Sequence, residues 1–180
     1  MLDRVLPVIH VGKLDSISIR STAFFRQHPL DYLESLEKCI TTALAELTEE
    51  QKDHVIGIGV DTTGSTPVPV DKNGTPLALL DEFAENENAM FFLWKDHAAA
   101  AEADEINKLF RNNSENDYTK YQGDYSAEWY WAKILYAVRH DEAIRQAAYT
   151  WEEHCDWMTG ILCGETRPEK IYHKCVCSWS

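Results

Sequence analysis

Positive charge is scarce in this chain. Seventeen Lys and Arg stand against thirty Asp and Glu in 180 residues, a formal net charge of −13. A surface of that sign repels phosphate backbones and anionic lipid headgroups, which argues against nucleic acid and membranes as partners. Long apolar runs are missing too. No stretch approaches the roughly 18 residues that span a bilayer, and the start of the chain lacks a signal peptide's continuous apolar stretch and small-residue cleavage site. The expected location is the cytoplasm. Cysteine is sparse and odd in number: Cys39, Cys155, Cys163, Cys175 and Cys177 read most simply as free thiols in a reducing compartment. His173, Cys175 and Cys177, with His154 and Cys155 upstream, are soft ligands whose spacing matches none of the usual zinc patterns, so no metal site is expected. The chain also has no internal repeat, low-complexity tract or obvious domain linker.

What is present is a core. An apolar fraction of 44% with six tryptophans rules out general disorder and suits one domain, or part of a larger protein. The centre of the pattern is Val55-Ile-Gly-Ile-Gly-Val60, six apolar residues ended by Asp61 and a cluster of Thr, Gly and Ser. Its length and β-branched content predict a strand buried on both faces that runs into a polar turn. Two glycines inside such a strand suggest that a backbone or ligand comes close. The turn offers Asp61, three threonine hydroxyls, Ser65 and the amides around Gly64 at the strand's carboxyl end, where open α/β sheets bind ligands. A core strand whose Asp61 merely caps a turn fits the same letters.

Around this centre, Leu6, Val8, Ile9 and Val11 suggest one strand, and Ile17 and Ile19 an alternating second. Pro29 to Leu47 carries Leu30, Leu33, Leu36, Ile40, Leu44 and Leu47 at helical spacing, with proline in the first turn. Thr48 to Gln51 has the spacing of a capping box. Helix followed by buried strand predicts half of a parallel crossover unit. Asp71-Lys-Asn-Gly74, between Pro67–Val70 and Leu77–Leu80, predicts a hairpin whose proline-bearing first arm lies at a sheet edge. Met90 to Trp94 is a second apolar burst, ended by Lys95-Asp96-His97. Helices are predicted over Ala98–Phe110, from an N-cap at Ser126 through Trp131, Ile134, Leu135 and Val138, from Asp141 through Tyr149, and over Trp151–Leu162 with Gly164 as C-cap. Trp129, Trp131, Trp151 and Trp157 read as core.

Three acids, Asp61, Asp96 and Glu128, stand near element ends. Converging carboxylates can hold a divalent metal for nuclease chemistry, although acids there are common caps and the negative charge opposes such a substrate. Trp94 fits either a core position or a ligand platform; its neighbours Lys95, Asp96 and His97 favour the platform, since sugar sites pair an aromatic face with hydrogen-bonding groups.

Longer words carry more information. Phe25-Arg-Gln-His-Pro-Leu-Asp-Tyr32, Gly57-Ile-Gly-Val-Asp-Thr-Thr-Gly-Ser-Thr-Pro67, Phe83-Ala-Glu-Asn86, Asn88-Ala-Met-Phe91, Leu93-Trp-Lys-Asp-His97, Ser126-Ala-Glu-Trp129 and Cys155-Asp-Trp157 resemble the ribulokinase branch of the FGGY carbohydrate kinase family. The resemblance covers 24–172 and leaves 1–23 and 173–180 unmatched. It implies an α/β, ribonuclease H-like (actin-like ATPase) lobe, incomplete here. It also implies ATP-dependent phosphorylation of L-ribulose to L-ribulose 5-phosphate in L-arabinose catabolism, with ATP and Mg2+ held between two lobes. Carried over, Thr63, Gly64 and Ser65 would line the ketopentose pocket, Trp94 would pack on its carbon face, and Asp96 would bond hydroxyls or orient neighbours. The chain departs from the family in lacking an opening Asp-x-Gly-Thr or Asp-x-Gly-Ser turn toward the ATP phosphates; Asp15 to Arg20 is a faint echo. The Gly-His-Lys segment, the catalytic aspartate and the ATP lobe are not found after Tyr172. The isolated chain is therefore expected to hold only the acceptor's side, to bind ATP poorly, to have no catalytic base of its own, and to self-associate through an unpaired sheet edge.

Overall fold

The computed structural model describes residues 17–21, 23–113, 115 and 117–171. The strand expected over Leu6–Val11, the Asp15 echo and the His173–Cys177 cluster lie wholly or partly outside them. The expected strand around Ile17 and Ile19 is present as β1 (Ile17–Ser21). It pairs antiparallel with β2 (Phe24–Gln27), which in turn pairs antiparallel with the two-residue β4 (Phe91–Phe92). A separate ladder joins β3 (Pro67–Val70) to β5 (Thr150–Glu153), also antiparallel. Helices α1 (Pro29–Ala45), α2 (Glu49–Lys52), α3 (Ala100–Asn112), α4 (Thr119–Gln122), α5 (Tyr130–His140), α6 (Glu142–Ala147) and α7 (His154–Cys163) complete a mixed α/β architecture with small sheets.

The locally encoded elements follow their sequence signals. Pro29 opens α1, whose first turn is capped by the His28 ring accepting from the Leu30 amide at 3.2 Å. The Thr48–Gln51 box closes in both directions, at 3.3 and 2.9 Å. Asp141 caps α6 by accepting from the Ile144 amide, and Gly164 ends α7 in the left-handed region. Asp71 to Gly74 forms the expected tight turn, with Gly74 at φ 77°. A Cβ at Gly74 would lie 1.7 Å from the Thr166 carbonyl oxygen, so only glycine fits there.

Several expectations fail, most of them where pairing is non-local. Val55–Val60 is not a buried strand: it belongs to no ladder, and Ile56 is fully exposed. A strand covered on both faces needs neighbours on both edges, and no described strand supplies one. The parallel crossover disappears with it, since every described ladder is antiparallel. The second hairpin arm becomes a 3-10 turn at Leu77–Leu79, joined to the first only by a bridge between Val70 and Pro76. The helix expected from Trp151 begins as β5, because Trp151 and Glu153 face Pro69 and Pro67 in the ladder. Ser126 does not cap α5; its hydroxyl accepts from Glu128, and α5 starts after Trp129. Trp131 is exposed rather than core, whereas Trp157 is 1% exposed.

Three apolar clusters hold the molecule. Val68, Val70, Phe91, Trp157 and Met158 pack beneath Tyr32, Leu33 and Leu36 of α1. Leu77, Ala78, Phe83, Ala89 and Ile144 form the second, and Ala99, Ala103, Tyr125 and Ala132 the third. The alanines of α3 and α5 allow those helices to approach closely, as expected for the 98–110 stretch. Cys39, Cys155 and Cys163 are outside any disulfide. No helix among the described residues is long and apolar enough to cross a membrane.

Candidate functional site

The turn at 62–66 and the turn after Leu93 come together, and one lysine joins them. Lys133, on the inner side of α5 and fully buried, donates from Nζ to the Ser65 carbonyl oxygen and to the Leu93 carbonyl oxygen, the latter at 3.0 Å. Each carbonyl belongs to irregular backbone that no ladder satisfies, and a buried carbonyl without a donor costs about 1 to 3 kcal/mol. Burial pushes the Lys133 amine down to about 7, against the opposing pull of Asp96 and Glu153.

Ser65 itself is strained. Its φ of 56° is the described chain's one positive value outside glycine, a conformation that costs a non-glycine residue about 1 to 2 kcal/mol. The next residue anchors it: the Thr66 amide donates to Glu153 Oε2 at 3.0 Å, and the Thr66 hydroxyl donates to the Thr63 carbonyl at 3.0 Å. The Ser65 side chain is buried, whereas Thr63 and Gly64 are exposed at the rim.

On the other turn, Trp94 is 51% exposed, more open than the core position that was one of its two readings. Beneath it, Asp96 is fully buried and all its bonds run inward: Oδ2 accepts from the Phe25 amide at 2.6 Å and from Arg26 Nη1, and Oδ1 accepts from the Ala98 amide at 3.1 Å. That geometry suits the orienting role, with three of the carboxylate's acceptor positions used inside the protein. Arg26 lies flat over the Phe92 ring, 3.4 Å from its centroid, and burial lowers its pKa to about 10. Lys95 sits 4.6 Å from the Phe25 ring centroid, and exposed His97 pairs with Glu128 at 3.2 Å. The result is a surface of Thr63, Gly64 and Trp94 beside a buried set of ionisable side chains, Arg26, Asp96, Lys133 and Glu153. An aromatic ring beside main-chain and hydroxyl groups can bind a polyol by stacking and hydrogen bonding.

The three acids considered for metal do not converge. Asp61 is exposed, Asp96 is locked to Arg26, and Glu128 pairs with His97. Among the described residues no group of three or more His, Cys, Asp or Glu is placed to hold a metal ion, so nuclease chemistry loses its geometric basis. Other quoted words prove structural: Asn86 and Asn88 both donate to Asp141 Oδ2, at 2.9 and 3.2 Å. Lys133 was not singled out from sequence, because a lysine in an amphipathic helix ordinarily faces water. Its place four residues before Ala137, on the buried side, was the available signal.

No protein-family model matches the chain. Its sequence is 50% identical over 148 residues to a ribulokinase of Vibrio parahaemolyticus, covering 82% of this chain and 26% of that protein. It is 38% identical over 138 residues to a ribulokinase of Bacillus licheniformis, covering 77% of this chain and 25% of the relative. A ribulokinase of Geobacillus thermodenitrificans is 33% identical over 168 residues, 91% of this chain and 29% of that protein. Most of the chain is therefore ribulokinase-like in sequence, and it spans about a quarter of the length of these curated relatives.

Proposed function

We propose, from that similarity, that this chain carries the ketopentose-recognition part of an FGGY carbohydrate kinase, a ribonuclease H-like lobe on which L-ribulose lies across Thr63, Gly64 and Ser65 with its carbon face against Trp94. Asp96 orients the backbone below the ring. In a complete cytoplasmic enzyme, ATP with Mg2+ supplies the phosphoryl group that yields L-ribulose 5-phosphate. The observation that carries the reading is the half-exposed Trp94 tied by Lys133 to the strained Ser65 turn, within a stretch similar to ribulokinases. Side-chain bonds that hold both turns in place before the sugar arrives reduce the entropy lost on binding.

The test is an NMR titration of the 180-residue polypeptide with L-ribulose. Saturable shifts are expected at the amides of 62–66 and 94–97 and at the Trp94 indole, with a Kd of about 1 mM or weaker for a site lacking its further contacts. An aldohexose should leave them in place. Shifts absent at saturating sugar, or centred on another face, would overturn the assignment. Exposed apolar backbone at 55–60 also gives copies an edge through which to associate, so the titration is repeated at several protein concentrations.

A further inference from the structure

We propose that Lys133 is the positioning residue of this recognition site: its buried Nζ, bonded to the Ser65 and Leu93 carbonyls, couples the Thr63–Ser65 turn and the Trp94 turn so that they open and close as one unit. The inference rests on the sugar reading for its consequence, but the coupling itself is a statement about the chain alone.

The two turns come from distant parts of the sequence and share no ladder. Ser65 precedes β3, and Leu93 follows β4. Ser65 has its backbone in the left-handed region, and its carbonyl reaches Lys133 Nζ. The same nitrogen then reaches the carbonyl of the residue before Trp94, at 3.0 Å. An ammonium or amine has three donor positions or fewer, no acceptor in its charged form, and a long stem that threads between side chains. It can therefore bridge two carbonyls that face each other across a core, where an apolar side chain would take from the Ser65 carbonyl its Lys133 donor and leave the Leu93 carbonyl with the Asp96 amide. The groups around it complete the device. Asp96 stands on the turn after β4, Glu153 at the end of β5, Arg26 on β2 and Glu128 just before α5. Asp96 holds Phe25 and Arg26, and Glu153 holds the Thr66 amide. Each turn is thus anchored separately to a sheet, and Lys133 is the one side chain among the described residues bonded to both.

Two well-placed reporters exist. The Thr66 amide is bonded to Glu153 in one turn, and the Asp96 amide to the Leu93 carbonyl at 2.9 Å in the other. In the unsubstituted 180-residue polypeptide, hydrogen exchange at Thr66 and Asp96 should report a single opening event, with equal opening rates when closing is made slow relative to exchange at raised pH. In Lys133→Met, which keeps the stem and removes the amine, exchange at both should rise at least tenfold. The ladder amides of β3 and β5 should stay protected, and the L-ribulose shift of the Trp94 indole should vanish. Unequal opening rates in the unsubstituted chain would overturn the proposal, and that measurement decides the matter if Lys133→Met does not fold. Loosening of only one turn, or an equal rise throughout the β3–β5 ladder, would also overturn it. Should L-ribulose fail to bind the unsubstituted chain, the sugar reading falls while the exchange result still decides the coupling.

Discussion

The purified 180-residue polypeptide is expected to transfer no phosphoryl group from ATP to L-ribulose above background. Such transfer requires an acceptor hydroxyl, a base to take its proton, and Mg2+-bound phosphates in line with it. Misplacing any of these costs orders of magnitude in rate. In the proposed reading, the residues gathered here belong to the acceptor's side. Asp96 is bonded inward to Arg26 and two amides, and so is not placed to accept a substrate proton. The chain spans about a quarter of the ribulokinases it resembles, and no Asp-x-Gly-Thr turn occurs in its sequence. An assay coupled to ADP release checks this. Turnover within about a thousandfold of the ordinary 1 to 100 per second of kinases would show that the remaining parts are dispensable.

Replacing Glu152 with Gln is expected to raise the protein's stability over the parent's by an amount that grows as pH rises from about 4.5 to 8. Glu152 lies on β5 opposite Val68, is fully buried, and has no hydrogen-bond partner on either carboxylate oxygen. Burial, with the charge of Asp156 nearby, pushes its carboxyl up to about 8. The folded chain therefore keeps a proton there that the unfolded chain releases above 4.5, and stability from this residue falls as pH rises through that window. The full shift corresponds to nearly 5 kcal/mol at about 1.4 per unit. The effective dielectric of a protein interior, well above that of dry protein, reduces this to about 2 to 4 kcal/mol. His154 opposes it at lower pH: burial holds its imidazole down to about 4, so its contribution is lost as pH falls from 6.5 to 4. The two slopes offset each other between 4.5 and 6.5, which hides both in the parent's curve. The informative quantity is the unfolding free energy of Glu152→Gln minus that of the parent, by urea denaturation at several pH values. It should climb steadily from pH 4.5 to 8; a flat difference would mean that Glu152 is solvated and charged in the folded chain.

Most features decided within one helical turn were legible in the sequence, Ser126 excepted, and so was the strand around Ile17 and Ile19; which segments pair with which was not. The proline at the start of α1, the Thr48 box, the Asp141 cap and the Gly164 terminus each involve residues within four positions of one another. Val55–Val60 carries every compositional mark of a buried strand, yet β structure exists only with a neighbour, and none of the described strands lies beside it. β5 was hidden for a related reason: buried Glu152 and Glu153 break the apolar alternation that marks a strand. The two turns of the candidate site could be recognised from their words, but not what joins them, because a buried lysine on an amphipathic helix is indistinguishable by spacing from a solvated one.

The central claim is that Trp94 is a sugar platform rather than part of the core, and Trp94→Ala tests it most directly. Truncating a buried aromatic costs about 3 to 5 kcal/mol, whereas a ring that is half exposed should cost well under that. Losing a stacked ring at a binding site weakens the ligand by about 1 to 3 kcal/mol, roughly 5- to 150-fold. The measurement is the L-ribulose titration of the parent and Trp94→Ala polypeptides, followed at the amides of 62–66, together with the melting temperature of each. The account predicts that the midpoint of those amide shifts moves to at least about fivefold higher sugar in Trp94→Ala, while the cooperative melting transition is kept within a few degrees. Unchanged sugar shifts, or a variant that no longer folds, would contradict it.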